Sequence, residues 1–136
     1  TFIPKASARL ATSLPMRLDM DIRQRLPKFG GAVGRAWAAT QRLSDAKLRE
    51  GFARLQWAGS ITADRFVEEV REAEDAGYAV DREALYPGVV SLGSVIMRGG
   101  EPAYGLTASD IAHNLDDERL EAVGQRMAEL AQDYSR

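Results

Sequence analysis

In "AEDAGYAVDREALYPGVVSLGS", residues 73–94, one kind of periodicity stops and another begins. Up to Ala73 the apolar residues Phe66, Val67, Val70 and Ala73 fall at steps of three or four, which marks one face of a helix. Gly77 sits where a helix ends with a residue in the left-handed conformation. From there the β-formers take over. Residues 78–81 read as a short strand, the Pro87-Gly88 pair as a turn, and residues 89–97 as a longer, almost uncharged strand. A helix that hands over to an up-and-down strand pair predicts an antiparallel sheet with helices set apart from it. That is an α+β arrangement rather than a doubly wound one.

Downstream the pattern continues. "RGGE", residues 98–101, is a hairpin turn, because Gly99-Gly100 accommodates positive φ at both central positions. Residues 102–109 return as the next strand. Asp116 is placed to cap a long helix running to Tyr134, with Leu120, Val123, Met127, Leu130 and Tyr134 on one side. Upstream, Thr62 caps the helix of residues 63–76, and Ser44 caps a shorter one over residues 45–55 with Leu48, Phe52 and Leu55 inward. Residues 30–42 begin Gly-rich and continue as a helix with Ala36, Trp37 and Ala39 facing a core. Pro27 breaks the chain before it. Met16, Leu18, Met20 and Ile22 alternate with Arg17, Asp19 and Asp21, the period of a half-buried strand. A further strand is expected within residues 1–11.

The chain has 136 residues, enough for a single domain with one real core. A net charge of −2 argues against a domain that binds nucleic acid by electrostatics. The 15 Arg and 3 Lys are scattered and read as solvated surface, with helix pairs at i,i+4. There is no Cys, hence no disulfide framework and no thiolate chemistry, which fits a cytoplasmic protein. No run is long and apolar enough to span a membrane, so no membrane partner is expected. The chain begins at Thr1 rather than Met, and the expectation is a domain separated from an upstream neighbour.

Several residue groups are candidates for chemistry. "FGGAVGR", residues 29–35, is a Gly-rich run into a helix, and such a start turns backbone N–H groups and the positive dipole end toward an anion. It lacks the spacing and ending of a P-loop. Ser91 on one strand, and Thr107 with Ser109 two apart on the next, place small hydroxyls on a sheet face. Asp81 and Glu83 are also two apart, which on an extended strand sets both carboxylates on one side. His113 lies between Asp110 and Asp116, but one histidine with two acids falls short of a metal site. No cofactor is expected. No nucleophile elbow is present, and the reading is a protein that is not an enzyme. Two other readings stand beside it. One is a small α+β enzyme with Asp81 or Glu83 as acid or base. The other is a dimerisation module whose pocket is unused. Trp37, Trp57, Tyr78, Tyr86 and Tyr104 read as core or pocket walls.

Three separated stretches resemble one family. "QRLPKFGGAVGRAWAA" (residues 24–39), "ITADRFVEEVREAEDAGYAVDREALYPGVVSLGS" (61–94) and "EPAYGLTASDIAHNLDDERLEAVGQRM" (101–127) are similar, in order and spacing, to the effector-binding domain of IclR-type transcriptional regulators. The resemblance implies a GAF- or profilin-like α+β domain with a curved antiparallel sheet flanked by helices. It also implies a single ligand-binding domain over residues 1–136. The DNA-binding winged helix-turn-helix would lie in a separate, preceding domain absent from this chain. A small organic or aromatic acid would be the effector, and self-association into a homodimer or tetramer would carry the response to DNA.

Carried over position by position, the backbone amides of Ala32 and Val33 would hold the ligand carboxylate. Asp81 would face the ligand or a bound water. Val89 and Ser91 would line the floor, and Thr107 and Ser109 would offer hydroxyls. The chain departs from the family pattern at Ser91, often Cys or another small residue, at Asp110, usually Gly, and at Arg35, frequently Lys.

Overall fold

Strand β4, Val89–Arg98, organises the molecule. In the computed structural model, which describes residues 2–3, 26–27, 29–55, 57 and 60–135, it is the middle of a three-stranded antiparallel sheet. Its neighbours are β3, Ala79–Arg82, and β5, Glu101–Ile111. The Gly99-Gly100 hairpin joins β4 to β5 with φ of 59° and 79°, which only glycine adopts at low cost. A register shift between Ile96 and Met97 marks an irregularity near that end. Both strands run slightly beyond the expected limits, because the pairing continues to Arg98↔Glu101 and Val89↔Ile111.

Helices cover both faces of this sheet. On one lie α1, Gly31–Gln41, and α3, Ala63–Ala76, with α2, Asp45–Ala53, packed against α3. Their core holds Ala36, Trp37, Ala38, Leu48, Phe66, Val70 and Ala79, with Phe29 and Val95 against it. On the other lies α4, Asp117–Tyr134, whose Leu120 and Met127 meet Val90 and Leu92. The two cores follow from period two along β4: Val95 serves one face, Val90 and Leu92 the other. A 3-10 turn, Ala112–Asn114, leads from β5 into α4.

The expected caps are in place. Ser44, Thr62 and Asp116 each accept a hydrogen bond from a backbone N–H three residues on. Gly77 closes α3 at φ 80°. Helix α2 stops at Ala53, short of Leu55, and Arg42 ends α1 in the left-handed region at φ 51°.

Two expectations need revision. Pro27 is not simply a break: with Leu26 it forms the two-residue strand β2, paired antiparallel with β1, Phe2–Ile3. A proline is tolerated there because so short a strand has no interior ladder to interrupt. Within residues 1–11, Phe2–Ile3 is the described strand, and the alternating stretch of residues 16–22 lies outside the described residues. The arginines are not all at the surface either, since Arg35 is 0% exposed. For the other described arginines the surface reading holds, with pairs such as Arg54–Glu50, Arg65–Glu68 and Arg126–Glu129 along helices.

Candidate ligand-binding site

The sheet face under α1 carries the small hydroxyls. Asp81, Ser91 and Ser109 are register partners and form one row across β3, β4 and β5. Ala79, Gly93 and Thr107 form the next row on the same face, and Val89 opposite Ile111 borders the first. Ser91 Oγ and Ser109 Oγ are 2.8 Å apart and hydrogen-bonded. Ser109 is exposed, Ser91 and Thr107 half-buried, and Val89 buried.

The start of α1 is seated beside this row. Glycine is needed where the two backbones meet: a Cβ on Gly93 would stand 2.5 Å from Val33 N and 2.6 Å from Ala32 C. A Cβ on Gly105 would stand 2.8 Å from Val33 Cγ1. Val33 thus lies over two glycines on adjacent strands. Gly30, the N-cap residue, has no side chain to accept from the first amides, and the first turn of α1 contains no acid. The amides of Gly31, Ala32 and Val33 precede the first i→i−4 bond, Gly34 N to Gly30 O at 3.1 Å, and so lie outside the helical ladder. Together with the dipole, they make this end attractive to a negative charge.

Asp81 ends the row on β3 and is buried rather than open to solvent, at 3% exposure. Its Oδ1 accepts from Ala84 N at 2.9 Å, and its Oδ2 is 3.6 Å from Arg35 Nη1. That same Nη1 donates to Gly31 O at 3.0 Å. Arg35 Nε is 2.6 Å from Glu69 Oε2, yet the N–H does not point along the contact. This is charge against charge rather than a directed hydrogen bond. Arg35 Nη2 has no hydrogen-bond partner among the described residues. The guanidinium lies 5.4 Å from the Trp57 ring centroid and 5.6 Å from that of Phe66, within cation–π reach.

Glu69 passes the charge chain on to Arg65, whose Nε is 3.1 Å from Oε1. Burial pushes the Glu69 carboxyl above its ordinary value, opposed by Arg35 and Arg65 and reinforced by Asp81.

Glu83 does not share a side with Asp81, as an extended strand through both residues would require. Strand β3 ends at Arg82, and Glu83 takes φ 60°. That turn sends its Oε1 to the Gly88 N–H, 3.0 Å away. Glu83 N donates to Val89 O at 3.0 Å, and Gly88 O accepts from Ala112 N at 2.9 Å. The β3–β4 connection is therefore a closed structure, and Leu85 from it reaches toward Gly31. The two carboxylates diverge, which leaves no acid–base pair here. The acids near His113 are likewise engaged: Asp110 accepts from Ile111 N and Asn114, and Asp116 caps α4. Among the described residues, no group of three His, Asp or Glu side chains could hold a metal ion.

The structure thus brings Val33, Asp81, Val89, Ser91, Thr107 and Ser109 onto one face, with Ala32 at its edge. What composition and spacing missed was Arg35 as a buried tie and Gly93 as the contact point. One signal for the first was present: Arg35 is the only charge in the α1 sequence GAVGRAWAATQ. A separate cavity of roughly 200 Å³ lies between α3 and β3, lined in part by Arg65, Glu69, Glu72, Tyr78 and Arg82. Its ionic groups are paired with one another or, for Arg82, with Asp117.

Comparison with known proteins adds context to this geometry. Residues 8–136 match the family model described as "Bacterial transcriptional regulator IclR C-terminal". Among solved structures, the Agobacterium tumefaciens repressor BlcR is similar with a TM-score of 0.72 and 24% identity, covering 85% of this chain and 49% of that one. An IclR transcriptional regulator from Alicyclobacillus acidocaldarius gives 0.68 and 21%, covering 92% and 52%. The Thermotoga maritima IclR gives 0.61 and 19%, covering 92% and 53%. At these identities the structural likeness speaks for the fold. The chain spans about half the length of these solved relatives. No curated protein matches the sequence. Among the described residues, no helix is long and apolar enough to cross a membrane.

Proposed function

The chain belongs to the IclR family of bacterial transcriptional regulators, matching the family's C-terminal domain, and on that premise we propose that it is the part of a regulator that senses a small organic or aromatic carboxylate. The observation that carries the reading is the uncapped, acid-free start of α1 set against the Ser91–Ser109 row. The Ala32 and Val33 amides take the carboxylate, as a helix N-terminus takes an anion. Ser91, Ser109 and Thr107 offer hydroxyls to its polar groups, and Val89 supplies an apolar wall. Asp81 borders the site from β3. In this reading the ligand is bound and released unchanged.

Sensing requires that the ligand favour one conformation over another. In this reading the preference passes through α1, which touches ligand and sheet at once, to the geometry of a homodimer or tetramer. A winged helix-turn-helix elsewhere in the regulator then changes its hold on operator DNA. The setting is cytoplasmic, and the curved sheet serves as a GAF-like ligand platform. No metal or other cofactor enters.

The test is a thermal-shift screen of the chain against small mono- and dicarboxylates and aromatic acids. A ligand bound only by the folded state, at about 100 times its dissociation constant, adds roughly 2.7 kcal/mol of stability. One chemical class is expected to raise the melting temperature, and Ser109→Ala to weaken that rise. If no acid shifts the transition, the sensing assignment fails for this chain.

A further inference from the structure

We propose that Arg35 determines the charge class of the ligand: by cancelling Asp81 at the β3 end of the serine row, it makes the site select an anion over a neutral molecule of the same shape. This rests on the reading that the start of α1 and the serine row hold a carboxylate.

Asp81 creates the problem that Arg35 answers. It is the register partner of Ser91, one strand from the Ser91–Ser109 pair. Its Oδ2 is 4.0 Å from the point where a Cβ on Gly31 would sit. A fixed carboxylate so near the first amides of α1 opposes any ligand carboxylate drawn to them, since like charges at short range disfavour each other. Left alone, that acid would make the helix start a poor anion site despite its dipole.

Arg35 lies one helical turn beyond those amides and is wholly buried. From there Nη1 spans Gly31 O at 3.0 Å and Asp81 Oδ2 at 3.6 Å. A guanidinium does not lose its proton in a protein, so the cancellation is permanent across physiological pH. Nη2 remains without a hydrogen-bond partner among the described residues, so Asp81 and Gly31 do not exhaust its donors. Glu69 competes for the same cation at 2.6 Å from Nε. Arg65, 3.1 Å from the other Glu69 oxygen, relieves that competition. Arg35 thus stands between the carboxylates of Asp81 and Glu69, and Arg65 is shared between Glu69 and the exposed Glu68 and Glu72. Arginine fits this place better than lysine, because a planar fork meets several partners at once where an ammonium is a point charge.

The experiment titrates the 15N-labelled chain with acetate and with acetamide, its neutral counterpart, while following the amide resonances of Ala32 and Val33. It uses the wild type, Asp81→Asn, Arg35→Gln and the double variant. Wild type is expected to show a saturable acetate shift. Arg35→Gln should weaken acetate binding at least tenfold, which corresponds to about 1.4 kcal/mol. Asp81→Asn should tighten it, and the double variant should return toward wild type. Acetamide carries no charge for Asp81 to oppose, so its response should change less than that of acetate in every variant.

A double variant as weak as Arg35→Gln would overturn the proposal, because Arg35 would then act on the ligand or the fold rather than through Asp81. Weaker acetate binding in Asp81→Asn would also overturn it, by making Asp81 a direct ligand contact. Should Arg35→Gln fail to fold, Asp81→Asn decides: a larger gain for acetate than for acetamide supports the proposal, and anything else defeats it. Absence of any saturable acetate shift in the wild type would instead defeat the carboxylate-site reading beneath it.

Discussion

Single residues set how closely α1 approaches the sheet. At Gly93 the backbone of α1 occupies the space a side chain would need. Gly93→Ala forces a methyl group to within 2.5 Å of Val33 N, and backbone cannot step aside as a flexible side chain does. The expected cost is about 1–3 kcal/mol, the usual penalty for overpacking, read as a lower urea midpoint. Because the displaced atoms are the proposed anion donors, acid-induced thermal shifts should shrink as well. The Ser91–Ser109 bond is a second test. A double-mutant cycle with Ser91→Ala and Ser109→Ala should give a coupling of about 0.5–1.5 kcal/mol, measured by urea unfolding. The hydroxyls of this pair were legible in the sequence. Their mutual hydrogen bond was not, because it depends on the register between β4 and β5.

Between elements, the link from α1 to α3 is ionic and buried. Arg35 belongs to α1, and Glu69 to α3, where Arg65 lies one turn before it. Burial raises the Glu69 carboxyl above its ordinary value of 4.5. A carboxyl raised on folding means the native state holds more protons than the unfolded state in the window from 4.5 up to the native value. Its contribution to stability is therefore fully present below pH 4.5 and is lost as pH rises through the native value. Urea denaturation at a series of pH values should show wild type losing stability relative to Glu69→Gln across that window, with the difference constant on either side. A flat difference throughout would mean that Arg35 and Arg65 fully offset the burial. The capping residues were readable because capping is local: Thr62 needs only the amide of Arg65, 3.1 Å away. Thr62→Ala should cost about 1 kcal/mol by the same measurement.

Over the whole molecule, β4 serves two cores at once. Leu92 is 1% exposed and packs on the α4 side, whereas Trp37 and Trp57 report on the α1–α3 side. Leu92→Ala should cost about 2–5 kcal/mol, a large share of a stability of about 5–15 kcal/mol. The loss should appear equally in tryptophan fluorescence and in far-ultraviolet circular dichroism, as one coincident transition. Separate transitions would show that the two helical layers unfold independently across the sheet.

The sequence by itself determined the order of helices and strands from residue 30 onward, the three side-chain caps, the hairpin at Gly99-Gly100 and the α+β class. Each of these rests on interactions that span a few residues or on the periodicity of one element. Only the tertiary structure decided that Glu83 turns away from Asp81, that Arg35 is buried between Asp81 and Glu69, and that α1 starts over Gly93. These depend on which elements meet and at what distance. Arg35 and Glu69 are 34 positions apart, and no local pattern records a charge balance that forms only when α1 and α3 close over the same strand.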